Sequence, residues 1–224
     1  MVIFLITVKV LYSISGVGTQ ILLAHKSGDL LVDSGDGTLR DLIKLKYSFN
    51  RLKGILITHE HFDHTCGLYA LLNFMRLLGR KRKLLIVVPK SIRHVHLLLK
   101  PPLMYRSLTY PVEITEVTDK DRFRLGEVNI SAFSVEHEKD FPSLGYSIHD
   151  PEGFKVVVSG DTRPCENLER EVDGADVAIL ECTLGKKRKN MTIGHMTRSE
   201  AEKLGRKARK LILIHQKMNY QKLR

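Results

Sequence analysis

The sequence predicts an α/β fold with α+β character, in which β-sheets pack as a sandwich and helices follow groups of strands. Short apolar runs typical of buried strands alternate with segments of helical periodicity. Both halves of the chain run strands first and helices after, which indicates a duplicated βα layout. The 224 residues are 43% hydrophobic, which is enough for one sizeable core, and no linker interrupts them. We therefore expect one domain over residues 1–224.

In the first half of the chain, apolar strand runs end at turns that contain Gly, Asp or Pro. Strands are predicted within 1–33, at 54–58 and at 84–88, and helices over 38–48, 66–78 and 90–99. The Gly/Asp turn at 34–38 can bring Asp33 and several backbone N–H groups towards a site. The alternative is a plain turn with Thr38 as the N-cap of the first of these helices. Gly79 closes the second helix. The apolar N-terminus imitates a signal peptide, but Lys9 interrupts it and no basic residue precedes it. A first β-strand is the better interpretation.

Beyond residue 101 the sequence is rich in strand patterns, and most of them end at a turn or at a single polar residue. A short helix is predicted after residue 162 and a longer one over about 198–208. The predicted strands cover residues 112–117, 122–125, 128–135, 145–149, 154–158, 177–181 and 211–214.

The stretch 58–64, Thr-His-Glu-His-Phe-Asp-His, follows a buried strand and places four potential metal ligands within six residues. Imidazole and carboxylate groups suit zinc and similar divalent metals. His59 and His61 alternate along an extended turn and so point the same way, whereas Asp63 and His64 point elsewhere. That geometry favours two adjacent metals over one. A surface histidine cluster without metal is the alternative, and it accounts poorly for four potential ligands between a strand and a helix.

Three more polar residues lie at the C-terminal ends of apolar strands, namely His137, Asp161 and His215. A sandwich of sheets carries such positions to one edge, where they converge on a shared site. Asp161 has two carboxylate oxygens and can bridge two metals. The chain then offers one set of ligands for each metal: His59, His61 and His137, and Asp63, His64 and His215.

The net charge indicates which class of partner the protein binds, and the cysteine content indicates its redox compartment. A net charge of +11 and a pI near 9.6 favour polyanionic partners, nucleic acid first and anionic membrane surfaces second. The alternative interpretation of this charge is a solvated surface rich in Lys and Arg that binds no polyanion. Three scattered cysteines without a CxxC pair indicate a reducing compartment. No apolar run reaches the roughly 18 residues of a membrane span, so we expect a cytoplasmic protein that does not enter a membrane.

The motif His-x-His-x-Asp-His at 59–64, followed by a distant His, an Asp and a final His, resembles the metallo-β-lactamase superfamily. The resemblance spans the chain from Asp33 to His215. It implies a four-layer αβ/βα sandwich with two central mixed sheets and outer helices. It also implies a metal-dependent hydrolase with the ligand sets given above.

Four segments resemble, more narrowly, the RNase Z branch of tRNA 3′-end processing endonucleases. They are residues 31–38, residues 159–165, Glu181 and residues 194–201. This resemblance implies a dinuclear phosphodiester hydrolase that acts on tRNA 3′ ends or another RNA. Glu181 would orient His195, and His195 would protonate the leaving 3′ oxygen. Asp63 would accept the proton of the attacking water, and Thr197 would bond the scissile phosphate. The alternative interpretation is that His195 only occupies a position at the start of a helix and has no catalytic role.

Several expectations about cofactors and partners follow from the same resemblance. Two divalent metal ions are expected, with zinc preferred and manganese or iron as alternatives. The branch implies a homodimer. Two basic loops, 80–83 and 186–189, would contact RNA. The second substitutes for the branch's long tRNA-grasping arm, and Lys217 offers a point charge after His215. The predicted RNA contacts in the second loop are Lys186, Lys187 and Arg188.

Two other classes of function stay open from the sequence. One is another hydrolase on the same fold, such as a phosphodiesterase of small molecules or cyclic nucleotides, or less readily a thioesterase or lactonase. The other is a non-catalytic RNA-binding module. The charge of +11 argues against the thioesterase and lactonase. The filled ligand positions argue against the non-catalytic module.

Overall fold

Two six-stranded β-sheets form the centre of the molecule, which is described here as a computed structural model covering residues 6–98, 108–185 and 194–218. The first sheet has its strands in chain order, antiparallel from β1 to β3 and parallel from β3 to β6. Its strands are β1 (Thr7–Ile14), β2 (Gly18–Ala24), β3 (Asp29–Val32), β4 (Leu52–Leu56), β5 (Leu84–Pro89) and β6 (Val112–Val117).

The second sheet is also mixed. Its first four strands are antiparallel and its last three, β10 to β12, are parallel. Its strands are β7 (Arg122–Leu125), β8 (Val128–Ser134), β9 (Leu144–His149), β10 (Lys155–Val158), β11 (Val177–Glu181) and β12 (Lys210–Ile214). The prediction of two central mixed sheets is confirmed.

Six α-helices and a short 3-10 helix at Phe49–Arg51 connect the strands within the described part of the chain. The helices are α1 (Thr38–Lys44), α2 (Phe62–Thr65), α3 (Leu68–Leu77), α4 (His94–Leu98), α5 (Glu166–Val172) and α6 (Arg198–Gly205). None of these helices combines the length and the apolar character needed to span a lipid bilayer.

Alternation of side chains along each strand explains why both faces of each sheet are buried. Leu30 and Val32 of β3 lie in the core between the two sheets, whereas Leu31 packs in a second core with α1 and α3. The second sheet has a third core on its other face, where α5 and α6 contribute Leu168 and Ala201. The order helix, sheet, sheet, helix is the predicted four-layer sandwich.

The strand directions determine where the polar strand ends lie. Strands β3 to β5 are parallel, so their C-terminal ends lie at one edge of the first sheet. Strands β10 to β12 are parallel, and β8 runs in the same direction, because β9 is antiparallel to both β8 and β10. His137, Asp161 and His215 therefore follow strands that all end at the same edge of the second sheet.

The start and the end of helix α1 differ from the prediction. The N-cap is Gly37, whose φ of 77° is left-handed, and not Thr38. Thr38 is the first helical residue, and its buried hydroxyl donates to the Gly35 carbonyl oxygen at 2.7 Å. The helix ends at Lys44 rather than at residue 48, because Lys46 adopts a left-handed φ of 53°.

Arg80 has a structural role that corrects its prediction as an RNA contact. The residue is only 3% exposed and precedes β5, at the end of the strand away from the histidine cluster. Its guanidinium also lies 5.5 Å from the centre of the Tyr110 ring. The guanidinium donates hydrogen bonds of 2.7–2.9 Å to the backbone carbonyl oxygens of Phe49, Leu52, Arg82 and Lys83.

We predict that Arg80→Ala lowers the free energy of unfolding by about 2–4 kcal/mol, because it removes one buried and three partly buried hydrogen bonds to backbone carbonyl oxygens. Urea denaturation followed by circular dichroism measures the change. Lys81→Ala, which removes a neighbouring exposed charge, is the control and should change the free energy by less than about 0.5 kcal/mol. Equal effects of the two substitutions would contradict the structural role of Arg80.

Candidate metal centre

Three histidines converge at the C-terminal edge of the sheets. His59 follows β4, His61 lies two residues on, and His137 follows β8. The Nδ1 atom of His61 lies 3.0 Å from His59 Nε2 and 3.2 Å from His137 Nε2. His59 is fully buried and His137 is 6% exposed, whereas the side chain of His61 is 34% exposed. The three imidazoles form a pocket that solvent reaches from the His61 side.

A second group forms beside the first. His215, which follows β12, has its Nε2 atom 3.2 Å from Asp63 Oδ2 and 3.3 Å from His64 Nε2. Asp63 and His64 belong to α2, and all three residues are buried. The structure thus divides the 59–64 cluster between two groups, as the alternation of the sequence suggests.

Asp161 lies between the two groups. One carboxylate oxygen, Oδ2, is 3.8 Å from His59 Nε2 in the first group. The other, Oδ1, is 3.6 Å from His64 Nε2 and 3.4 Å from His215 Nδ1 in the second. Gly160, which precedes it with a φ of 60°, turns the chain sharply after β10. A single carboxylate therefore presents an oxygen to each group.

The remaining nitrogen of most of these imidazoles is held by a second partner. His64 Nδ1 lies 2.7 Å from Asp33 Oδ2, and His137 Nδ1 lies 2.9 Å from the Gly194 carbonyl oxygen. Both partners accept hydrogen bonds, so each Nδ1 carries a proton and each Nε2 faces the centre. Such outer partners fix the tautomer and the orientation of metal-binding histidines.

Two threonines fix the tautomer and orientation of the other buried histidines, His59 and His215. Thr58 Oγ1 donates to Asp33 Oδ2 at 2.9 Å, so it accepts from His59 Nδ1 at 3.0 Å. Thr183 Oγ1 donates to the His215 carbonyl oxygen at 2.9 Å, so it accepts from His215 Nδ1 at 2.8 Å. In both imidazoles the Nε2 lone pair faces the centre.

The donor set fits divalent metal ions. Lone pairs that face each other at 3.0–3.3 Å repel one another unless a cation or a proton lies between them. Nitrogen ligands at about 2.0–2.1 Å from a tetrahedral zinc ion are separated by roughly 3.3 Å. The ligand atoms of each group lie within 4.8 Å of one another; the groups are His59, His61, His137 and Asp161, and Asp63, His64 and His215.

Burial keeps part of the cluster neutral. It lowers the pKa of His59 well below the usual value, and the nearby His64 lowers it further. Burial also lowers the pKa of His61. Both imidazoles are therefore unprotonated at neutral pH, which is the state that binds a metal.

The carboxylates have the opposite effect at the second group. Burial would lower the pKa of His64, but Asp161 and Asp33 outweigh it and raise that pKa well above the usual value. Burial would likewise raise the pKa of Asp161, but His64 and His215 hold it well below its usual range. A site that draws a proton onto a fully buried imidazole is a site where positive charge is stabilised.

Glu181 and His195 form a hydrogen-bonded pair beside the metal ligands. Glu181, at the end of β11, is fully buried, and its Oε1 atom lies 2.8 Å from His195 Nδ1. Burial would lower the pKa of His195, but the hydrogen bond and charge of Glu181 raise it. The Glu181 carboxylate also accepts hydrogen bonds from the backbone N–H groups of Thr162, Thr183 and Met196.

His195 also lies near three of the candidate metal ligands, Asp161, His215 and His137. It forms a further possible group with Asp161 and His215. However, the nitrogen that faces Asp161, at 3.9 Å, is the same Nδ1 that donates to Glu181. Its ring is 4.8 Å from that of His137 and is stacked at 5.8 Å on that of His215. The Nε2 atom of His195 has no hydrogen-bond partner among the described residues.

The residues predicted to contact the substrate differ in their surroundings. Thr197 is the N-cap of α6, and its hydroxyl is bonded in a capping box to Glu200, at 2.9 Å from Oε2. A phosphate contact would compete with that bond. Lys217 is exposed, two residues after His215. Lys186, Lys187 and Arg188 lie outside the described residues.

Some residues that shape the site were missed from the sequence. The Gly16 N–H, in the turn between β1 and β2, donates to Asp63 Oδ2 at 2.7 Å. Phe141 packs its ring 4.7 Å from that of His61. Thr183 holds His215. Only the Ser-Gly-rich turn at 15–18 gave a local signal, because the other contacts join distant parts of the chain.

Comparison with known proteins agrees with this geometry. Residues 30–216 match the family described as the beta-lactamase superfamily domain. The chain belongs to this family. The superfamily resemblance predicted from the His-x-His-x-Asp-His motif is confirmed.

Relatives within the family share the narrower resemblance. The chain is 29% identical to Ribonuclease Z of Ignicoccus hospitalis, covering 87% of this chain and 80% of that protein. It is also 29% identical to Ribonuclease Z of Thermococcus onnurineus, covering 89% and 79%. The structure of human tRNase Z, short form, superposes with a TM-score of 0.82 at 24% identity, covering 96% and 93%, and supports the fold.

We predict that zinc stabilises the metal-free protein. At zinc concentrations about 100 times Kd, binding adds about 2.7 kcal/mol, which raises Tm by roughly 5–10 °C in a chain of this size. The protein is first freed of metal with a chelator and dialysed. Scanning calorimetry with and without added zinc then measures the change in Tm. His61→Ala, at a half-exposed ligand position, should reduce the rise, whereas His149→Ala, outside the cluster, should preserve it. An undiminished rise in His61→Ala would contradict the assignment.

Proposed function

We propose that this protein is a dinuclear metal-dependent phosphodiester hydrolase, an endoribonuclease of the Ribonuclease Z type that cuts tRNA precursors near their 3′ ends. The observation that carries the proposal is the Glu181–His195 pair, placed beside two groups of metal ligands. The curated relatives named Ribonuclease Z support the choice of RNA as the substrate.

We assign one metal to each group of ligands. His59, His61 and His137 would hold the first, and Asp63, His64 and His215 would hold the second. Asp161 would bridge them, since its two oxygens face different groups. The predominance of imidazole favours zinc, and manganese or iron are the alternatives. When bound, the two metals supply Lewis acidity at the phosphate and lower the pKa of the attacking water.

Asp63 is the residue that would take the proton from that water. Burial would raise its pKa, but the neighbouring His215 and His64 imidazoles and the hydrogen bond from the Gly16 backbone N–H lower it, so the carboxylate is ionised at neutral pH. It is held at the edge of the second group by Gly16. From this position it would accept the proton.

His195 would give a proton to the departing 3′ oxygen. Its Nδ1 proton is committed to Glu181 at 2.8 Å, which fixes the ring and turns Nε2 towards the substrate. Glu181 is itself held by three backbone N–H groups, so it cannot rotate away from the imidazole. Its negative charge stabilises the protonated form of His195, the form that acts as an acid.

The RNA would be bound outside this centre by basic residues. The net charge of +11 suits a polyanion. We assign backbone contacts to Lys217 and to the loop residues Lys186, Lys187 and Arg188, and a contact with the scissile phosphate to Thr197. A homodimer and a cytoplasmic location are part of the same proposal.

A second candidate is a phosphodiesterase that acts on a smaller substrate. Strands β9 and β10 occupy much of the chain between His137 and Asp161, so no long arm extends there. A diphosphatase of the PhnP family shares the fold, with a TM-score of 0.73 at 16% identity. The same catalytic residues would then act on a short phosphodiester.

Incubation of the metal-loaded protein with a 3′-extended tRNA precursor distinguishes the two candidates. The proposal predicts a single endonucleolytic cut near the 3′ end of the tRNA. A chelator should abolish this cleavage, and added zinc should restore it. Rapid hydrolysis of small phosphodiesters with no cleavage of the precursor would favour the second candidate and contradict the first.

We predict that His195→Ala lowers kcat on the tRNA precursor by about 10²–10⁴-fold, because a poor leaving group departs without its acid. The loss should be much smaller on bis-p-nitrophenyl phosphate, since p-nitrophenolate leaves without a proton. Metal analysis of the variant controls for a ligand role. His96→Ala, an exposed histidine paired with Glu116, should leave both rates unchanged.

Equal losses on both substrates would show that His195 does not act as the acid. A loss of bound metal in His195→Ala would assign the residue to the metal centre instead.

A further inference from the structure

Phe62 is an exposed aromatic residue at the metal centre. It stands in the chain between His61 and Asp63, which belong to different ligand groups. Its side chain is 61% exposed, although the next three residues of α2 are buried. Among the described residues, it is the one aromatic member of the set of large exposed hydrophobic side chains: Ile43, Leu45, Phe62, Leu77, Leu78 and Leu97.

A second aromatic ring lies against the three-histidine group. Phe141, in the connection between β8 and β9, has its ring centre 4.7 Å from that of His61, with the planes inclined by 31°. Its ring centre is also 6.0 Å from that of His59 and 6.2 Å from that of His137. Phe141 is half-buried, so part of the residue can be reached from solvent.

Both aromatic residues adjoin His61: Phe62 follows it in the chain and is exposed, and the Phe141 ring packs against its ring. His61, which precedes Phe62 and contacts Phe141, is the most exposed ligand of the first group. A phosphodiester that approached the centre from the His61 side would bring the groups attached to its phosphate towards these two residues. Phenylalanine cannot donate or accept hydrogen bonds to a phosphate or a sugar, but it can stack on a flat base.

We propose that Phe62 and Phe141 form a nucleobase subsite that holds a base adjacent to the scissile phosphate. Stacking on phenylalanine tolerates every base, because each base has a π-face. The subsite would therefore position RNA without selecting a sequence. The inference rests on the proposed function, since it supplies a substrate contact for the same centre.

If the two residues served only to pack the structure, their substitutions would have different effects. Phe141 could serve only to pack against His61, and its loss would then alter metal binding. Phe62 contributes little packing, because most of its side chain is exposed. Substitution of Phe62 therefore tests the subsite without a serious risk to folding, and Phe141 provides a second measurement.

The main test compares two substrates with four proteins, and a fifth protein, Phe141→Leu, provides the second measurement. One substrate is a 3′-extended tRNA precursor, and the other is the same RNA with abasic nucleotides on both sides of the cut. The proteins are the wild type, Phe62→Leu, Phe62→Trp and the control Leu77→Ala, which shortens an equally exposed apolar residue on α3. Values of KM and kcat are measured at equal metal content.

We expect Phe62→Leu to raise KM for the intact precursor by roughly 5- to 100-fold, the range that base–aromatic stacking supports. The same substitution should leave KM for the abasic RNA unchanged. Phe62→Trp should retain the wild-type KM, because it keeps an aromatic face, and Leu77→Ala should match the wild type. Phe141→Leu should raise KM for the intact precursor at unchanged metal content.

The outcomes separate the subsite from the proposed function. If the wild type cuts the precursor and Phe62→Leu has the same KM on intact and abasic RNA as the wild type, the subsite is overturned and the function stands. If the wild type cuts no RNA, the proposed function is contradicted and the subsite with it.

Discussion

The site depends on three buried carboxylates that, within the described part of the chain, pair with neither lysine nor arginine. Asp33, Asp63 and Asp161 are each at most 5% exposed, and among the described residues their ion-pair partners are histidines. Burying a carboxylate costs several kcal/mol unless charge and hydrogen bonds compensate. In this structure a protonated His64 supplies part of that charge, and a cation bound among the neutral imidazoles would supply the rest. The demand for that charge explains why neutral and protonated histidines coexist in one cluster.

The fold meets this demand by bringing loop residues from both sheets to one edge. Parallel strands of each sheet end beside one another, and the residue after each strand is free to take an unusual backbone conformation. Asp33 and His215 both adopt left-handed φ angles, of 59° and 55°. Such conformations are costly for residues other than Gly and persist where the surroundings enforce them. Here the enforcing contacts are those of Asp33 with His64 and of His215 with Thr183.

The sequence predicts what depends on local pattern. The strand runs, the His-x-His-x-Asp-His spacing and the Glu181–His195 pair could all be inferred from residue type and from a family resemblance. Contacts between distant segments could not. The Gly16 N–H meets Asp63, and Arg80 folds back onto carbonyl oxygens of the preceding strand, without any local signal. The helix start at Gly37 was missed because a Thr in the next position is a common N-cap, whereas the left-handed φ of Gly37 comes from the turn that delivers Asp33 to the site.

The central claim is that two metal ions occupy the adjacent groups and that Asp161 bridges them. Elemental analysis by plasma mass spectrometry, with the protein quantified by amino-acid analysis, tests it most directly. The account predicts two equivalents of divalent metal per chain in the wild type, and fewer in Asp161→Ala. One equivalent or none in the wild-type protein after incubation with excess zinc would contradict it.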